Sequence, residues 1–254
     1  MRIATWNVNS LRARASHLER FVEEVGPDVL CLQELKIDDP QIPFESLHAL
    51  GYPHVVAWGQ PTYNGVALLS RHPITDPQRG LGDYEDDAAR AVSGMVEGVW
   101  IYSLYAPNGQ AVGSAQFSYK LAWLAALRRA LQRHTPSDDV LVCGDLNIAP
   151  GDLDVWDPFK AEGRLLCTDE ERRALQELLD WGLFDSFRER NLFESAFTWW
   201  DYRRMGFSRN QGLRIDHVLL TRSLMDRCTE VTIHRDVRGW DTPSDHAPVS
   251  VVLS

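Results

Sequence analysis

The chain has 254 residues, 44% of them hydrophobic, and a formal net charge of −10. That length and apolar content bury one large core without calling for a second unit, so residues 1–254 read as a single domain. The acidic balance excludes a surface that grips nucleic acid everywhere but leaves room for a local basic face. The cations are mostly Arg, with Lys only at 36, 120 and 160, and Arg suits bidentate phosphate contacts. No run approaches the ~20 apolar residues of a membrane span, and no secretory-type leader opens the sequence. Cys31, Cys143, Cys167 and Cys228 show no CxxC spacing and read as buried, reduced thiols. The expectation is a soluble, cytoplasmic monomer with no membrane contact.

In chain order, strand-like runs fall at Ile3–Val8, Val29–Leu32, His54–Ala57, Val66–Ser70, Ala91–Val96 and Val99–Leu104, then at Val140–Cys143, His217–Leu220, Cys228–Ile233 and Val249–Leu253. Between them, Leu11–Glu24 carries apolar residues at helical spacing and is stopped by Gly26-Pro27. Ser118–Arg133 and Asp169–Trp181 are the other clear helices, the second opened by Thr168 and an acidic first turn that form a capping box. Hairpin-like pairs mixed with helices predict α/β layers with mixed or antiparallel sheets rather than a doubly wound parallel sheet. The acidic stretch Asp83–Asp87 has no spaced ligand pattern and reads as a solvated loop.

Acidic residues cluster at strand ends. Glu34 follows Val29–Leu32, Asp145 follows Val140–Cys143, and Asp245 sits in Ser244-Asp245-His246-Ala247 just before the last run, while Asn7 closes the first. Side-by-side strands would bring these groups together, and such a convergence builds a metal-assisted hydrolase site. Each residue also has a plain structural reading. Asp145 and Asn147 can be turn formers, Glu34 a helix-start residue, His246 a satisfied core histidine, Tyr105 a strand-end aromatic, and Asp216 a partner for Arg214.

Six ordered motifs weigh against that plainer reading: Trp6-Asn7-Val8-Asn9, Gln33-Glu34-Leu35-Lys36, Tyr105-Ala106-Pro107-Asn108, Gly144-Asp145-Leu146-Asn147, Gly212-Leu213-Arg214-Ile215-Asp216-His217 and Ser244-Asp245-His246-Ala247-Pro248. Together they resemble exonuclease III-type apurinic/apyrimidinic endonucleases of the bacterial type, from the first strand to the last. The resemblance implies a four-layered α/β sandwich of the DNase I-like endonuclease/exonuclease/phosphatase fold, with two packed mixed sheets flanked by helices. It implies Mg²⁺, with Mn²⁺ able to substitute, held by Glu34 with Asn7 and Asp245 nearby as direct or water-mediated ligands. Asp145 would orient and deprotonate water, Asn147 and Asn108 would bind phosphate, Tyr105 would supply a donor, and His246, held by Asp216, would contact the scissile phosphate. The implied activity is cleavage 5′ to abasic sites in double-stranded DNA, with action on blocked 3′ ends and 3′→5′ exonuclease activity.

Phe197–Arg214 interleaves aromatics with cations, and between Trp199 and Arg214 four Arg residues face one acid, Asp201. Trp199, Trp200, Arg203 and Arg209 read as a DNA-binding segment that stacks on bases and neutralises phosphates, against the alternative of an aromatic core covered by Arg stems. By the resemblance, Trp199, Leu213 and Ile215 stand where the family lines a pocket for a flipped-out abasic sugar. Leu213 replaces a second aromatic of some relatives, and Asn9 a carboxylate. The alternatives left open are a chain that is primarily a 3′→5′ exodeoxyribonuclease and a phosphodiesterase of the same fold acting on another ester; a catalytically idle DNA-binding protein is disfavoured, because every expected catalytic position is filled.

Overall fold

A computed structural model describes residues 1–254. In chain order the elements are β1 (Arg2–Asn7), α1 (Ala15–Val25), β2 (Val29–Gln33), α2 (Phe44–Ala49), β3 (His54–Trp58), β4 (Val66–Ser70), β5 (Ile74–Arg79), β6 (Ala91–Val96) and β7 (Val99–Tyr105). They continue with α3 (Ala115–Ala130), β8 (Val140–Asp145), α4 (Pro158–Ala161), α5 (Asp169–Asp180), β9 (Leu183–Asp185), α6 (Ser186–Arg190), β10 (Trp199–Trp200), β11 (Gly212–Leu213), β12 (Asp216–Thr221), α7 (Arg222–Arg227), β13 (Cys228–Ile233) and β14 (Val249–Leu253).

Two six-stranded sheets result, ordered β13-β14-β1-β2-β4-β3 and β5-β6-β7-β8-β12-β9, with a small β10-β11 ribbon between chain segments of the second. Only β1–β2 and β7–β8 run parallel, so both sheets are mixed. Strand alternation sends one set of side chains inward. Ile3, Cys31 and Leu68 of the first sheet meet Ile101, Cys143 and Val218 of the second in one apolar layer. The outer face of the first sheet is covered by Leu18, Phe21 and Val22 of α1, and that of the second by Trp123 and Leu127 of α3 with Leu175 and Leu178 of α5. Helix, sheet, sheet and helix make the four layers expected. All four cysteines are buried and unbonded, and no helix is long and apolar enough to cross a membrane.

Helix boundaries depart from the periodicity by a few residues. Arg12–Arg14 form a 3-10 turn before α1, which ends at Gly26 in the left-handed conformation (φ 62°). Helix α3 begins earlier than its apolar pattern because the Ser114 hydroxyl accepts from Phe117 N. The capping box at Thr168 and Glu171 forms as expected. Strand β5 was hidden by its Asp76-Pro77 step, which an edge strand tolerates.

Candidate active site

The topology aligns the strand ends at one edge of the sandwich. Asn7 lies beside Gln33 in the β1–β2 register, which carries Glu34 to the same level. In the other sheet Tyr105, Asp145 and Asp216 form one row across β7, β8 and β12. Gly144 permits that row, because a Cβ there would strike the Leu104 carbonyl of β7. Segment 244–248 enters β14 between the two sheets, and its His246 pairs with Trp199 in an isolated bridge.

Glu34, Asp145 and His246 converge, each offering an atom within 4.8 Å of the others. His246 Nδ1 lies 2.8 Å from Asp216 Oδ2, and Nε2 faces Asp145 Oδ2 at 3.7 Å. Burial opposes a charge on the ring, but the Asp216 and Asp145 carboxylates outweigh it and push its pKa up to about 10. The two carboxylates favour the protonated ring, in which both nitrogens donate. Burial raises Asp145 to about 7, helped by Asp216 and Glu34 and opposed by His246, which poises it as a proton acceptor near neutral pH. Burial also works against charge on Glu34, yet hydrogen bonds from Asn7 and Lys36 hold its carboxyl below the usual range. Burial and the Glu34 and Asp145 carboxylates raise the Tyr105 hydroxyl, which stays a donor.

The oxygens of Glu34 and Asp145 form a hard donor set of the kind Mg²⁺ takes. Asn7 does not present an oxygen to them. Its Oδ1 accepts from Asn9 N at 3.0 Å, while its amide nitrogen donates to Glu34 Oε1 at 2.9 Å and Asp145 Oδ2 at 3.0 Å. It holds the two carboxylates together. Asp245 stands one step away, with Oδ1 on Asn9 Nδ2 and Oδ2 on Trp199 Nε1, both at 2.9 Å. Of the set Glu34, Asn7 and Asp245 expected from the sequence as direct or water-mediated ligands, Asn7 hydrogen-bonds Glu34 directly and Asp245 is linked to Asn7 through Asn9. Asp216 pairs with His246; Arg214 pairs instead with Asp154 and Asp185.

Asn147 and Asn108 meet beside Asp145. Asn147 donates one amide hydrogen to the Ala106 carbonyl, 3.0 Å away, and accepts from Asn108 Nδ2 at 3.1 Å, so each amide keeps one N–H for an anion. Four site residues other than glycine have left-handed φ: Asn9 47°, Glu34 53°, Lys36 53° and Asn147 54°. Strain of this kind costs roughly 1–3 kcal/mol each and persists where the surroundings enforce it.

Trp199 is half-buried and packs with Leu213 against Ile215, Val155, Leu166 and Cys167. Ile215 itself is only 2% exposed and lies beneath that wall. Trp200 is fully buried, packed edge-on against Phe197 and Phe207, so it cannot stack on a base and leaves the DNA-binding set. Arg203 and Arg209 are exposed. Arg209 and Arg204 face Lys160 and Arg164 across a cleft of about 440 Å³ bordered by Leu213 and Cys167. Lys160 and Arg164 were missed because residues 156–165 lack a motif; their only sequence signal is two cations beside the exposed aromatics Trp156 and Phe159. Lys36 lies 2.8 Å from Glu34 Oε2, a contact that its place in the Gln33–Lys36 motif does not reveal.

The model of the Endonuclease/Exonuclease/phosphatase family matches residues 4–246. The chain is 39% identical to exodeoxyribonuclease III of Haemophilus influenzae over 98% of each chain. Its fold superposes on the 3′-5′ exonuclease NExo of Neisseria meningitidis with a TM-score of 0.95 at 40% identity, covering all of both chains. An AP endonuclease from Archaeoglobus fulgidus gives a TM-score of 0.96 at 33% identity, over 100% of this chain and 99% of the other. With two packed mixed sheets, helices on both outer faces and a family match across nearly its whole length, the chain belongs to the endonuclease/exonuclease/phosphatase family.

Proposed function

We propose that the chain is a divalent-metal-dependent DNA repair nuclease, acting as a monomer, that hydrolyses the phosphodiester 5′ to abasic sites in duplex DNA and also acts on 3′ ends. The observation that carries this reading is the meeting of Glu34, Asp145 and the His246–Asp216 pair beside the Trp199–Leu213 wall and its basic cleft. Relatives named as an exodeoxyribonuclease, a 3′-5′ exonuclease and an AP endonuclease support a nuclease of this range.

Glu34 would hold Mg²⁺, with Mn²⁺ as a substitute and Asp245 reached through water, which leaves Asp145 free to act as the base. When bound, the ion offsets charge on the phosphate oxygens and the leaving oxygen. Asp145 takes the proton of the attacking water. His246 donates through Nε2 to the phosphate, its orientation fixed by Asp216, and the free N–H groups of Asn147 and Asn108 aim at the same anion. Tyr105, kept protonated, donates nearby. Asn7 holds Glu34 and Asp145 at fixed separation. A baseless sugar fits against Trp199 and Leu213, over Ile215, while Arg203 and Arg209, with Lys160 and Arg164, neutralise the flanking phosphates.

A metal titration tests the reading. Wild type should nick an abasic-analogue duplex in Mg²⁺ and not in EDTA, and Glu34→Gln should need more Mg²⁺ for half-maximal rate, because a charged oxygen ligand is gone. An unchanged titration would place the metal elsewhere.

A further inference from the structure

Lys120 lies on the inward face of α3 with none of its side chain exposed, although lysine is among the residues least often fully buried. Its ammonium has three N–H groups, and three acceptors meet them: the Glu171 carboxylate, the Asn147 carbonyl at 2.6 Å and the Asn108 carbonyl at 3.4 Å. Glu171 is equally buried, and its other oxygen accepts from the Thr168 backbone N–H at 3.1 Å and hydroxyl at 2.9 Å. The pair is fully satisfied.

Stability alone gives no reason for it. Taking both ions out of water costs several kcal/mol each, and well-packed apolar residues of similar volume often serve as well or better. An apolar pair could not donate to two carbonyls. Those carbonyls belong to the loops that leave β7 and β8 side by side and carry the Asn108 and Asn147 amides. The Asn147 backbone is left-handed (φ 54°), so its carbonyl direction needs holding. The two amides are joined in front by their own hydrogen bond, and Lys120 joins the two carbonyls behind.

We propose that Lys120 is a positioning residue for the reaction: by bridging the Asn147 and Asn108 carbonyls it sets the spacing at which the two amides meet the phosphate, and Glu171 keeps it charged inside the core. This rests on the reading above in which Asn108 and Asn147 bind the scissile phosphate. Misplacement of a binding group by about 1 Å can slow a reaction on the order of 100-fold.

The test is a double-mutant cycle on the full chain. One variant combines Lys120→Met with Glu171→Gln, which leaves no unpaired charge and keeps a capping-box residue; the second is Asn147→Ala; the third combines them. Thermal midpoint, affinity for an abasic-analogue duplex and single-turnover incision in saturating Mg²⁺ are measured for each. The expected result is a folded Lys120→Met, Glu171→Gln protein that binds within about threefold of wild type, incises about tenfold or more slowly, and adds less than about threefold to the defect of Asn147→Ala. A slowing of the same factor in both backgrounds overturns the proposal while leaving the phosphate role of Asn147 intact, and so does a rate equal to wild type. An Asn147→Ala variant as fast as wild type overturns the proposal together with the reading it rests on. If the paired substitution does not fold, Lys120→Arg, which keeps the charge but not the ammonium geometry, goes through the same cycle with the same outcomes deciding it.

Discussion

Replacing Asp145 by Asn should make the protein slower and more stable at once, for one reason. Burial beside Asp216 and Glu34 moves the titration of Asp145 from 3.8 to about 7. Holding it ionised in the folded state at pH 7 therefore costs about 4 kcal/mol, at 1.36 kcal/mol per pH unit. Asn removes that cost but also loses a contact. Its oxygen can still accept from Asn147 N at the Oδ1 position, whereas its NH₂ group faces the Asn7 amide that now donates to Oδ2. One lost hydrogen bond costs about 1 kcal/mol. The remainder, about 3 kcal/mol, corresponds to a rise in thermal midpoint of about 6–12 °C for a chain of this size. A raised carboxyl loses stability as pH rises from its unfolded value towards its folded one, so the gap between variant and wild type should open between about pH 4 and 7 and then level off. The assay is thermal unfolding of both proteins in EDTA across that range, beside incision rates in Mg²⁺. Loss of the proton acceptor should slow incision by about 10²–10⁴-fold. A variant less stable than wild type in EDTA at pH 7 would rule out a buried, strained carboxylate at position 145, and one that cuts within tenfold of wild type would rule out Asp145 as the proton acceptor.

Two further outcomes follow from the packing and the charges. Trp199→Ala should weaken binding of an abasic duplex by about 1–3 kcal/mol without changing the Mg²⁺ requirement, as read by fluorescence anisotropy and metal titration; equal affinity would make Trp199 a core residue only. Asp185→Asn should cost about 1–3 kcal/mol in urea unfolding at pH 7, because the buried Arg214 guanidinium loses one of its two carboxylate partners and keeps Asp154. Burial opposes charge on Asp185 but Arg214 outweighs it and depresses its pKa, so that contribution is lost as pH falls through the folded value and the deficit should shrink below about pH 4; a deficit independent of pH would show that charge is not its source.

The layers were legible in the sequence because apolar runs and turn residues agree with the fold at every level: Gly26-Pro27 ends α1, and Thr168 with Glu171 starts α5. Element ends were less legible, since Ser114 caps α3 through its own side chain and starts the helix three residues ahead of the one read from the apolar pattern. Within the site, the carboxylates were visible as strand-end residues, but their partners were not. Periodicity cannot say that the Asn7 amide turns its nitrogen towards Glu34 and Asp145, or that Arg214 reaches Asp154 and Asp185 rather than its neighbour Asp216. Trp199 and Trp200 are adjacent and of one type, and strand alternation sends one towards the site and the other into the core. Lys120 carried no motif at all; only the packing of α3 beneath two loops makes it part of the site.

On the proposed function, the wall formed by Trp199 and Leu213 over the buried Ile215 favours a baseless sugar over an intact nucleotide, whose unstacking costs a few kcal/mol more. A duplex carrying one internal abasic analogue and an undamaged, labelled 3′ end reports both reactions in a single Mg²⁺-containing reaction. Incision at the analogue should outpace loss of 3′ nucleotides, and both should vanish in EDTA. Removal of undamaged 3′ nucleotides as fast as the analogue is cut would contradict that preference and make the chain primarily an exonuclease.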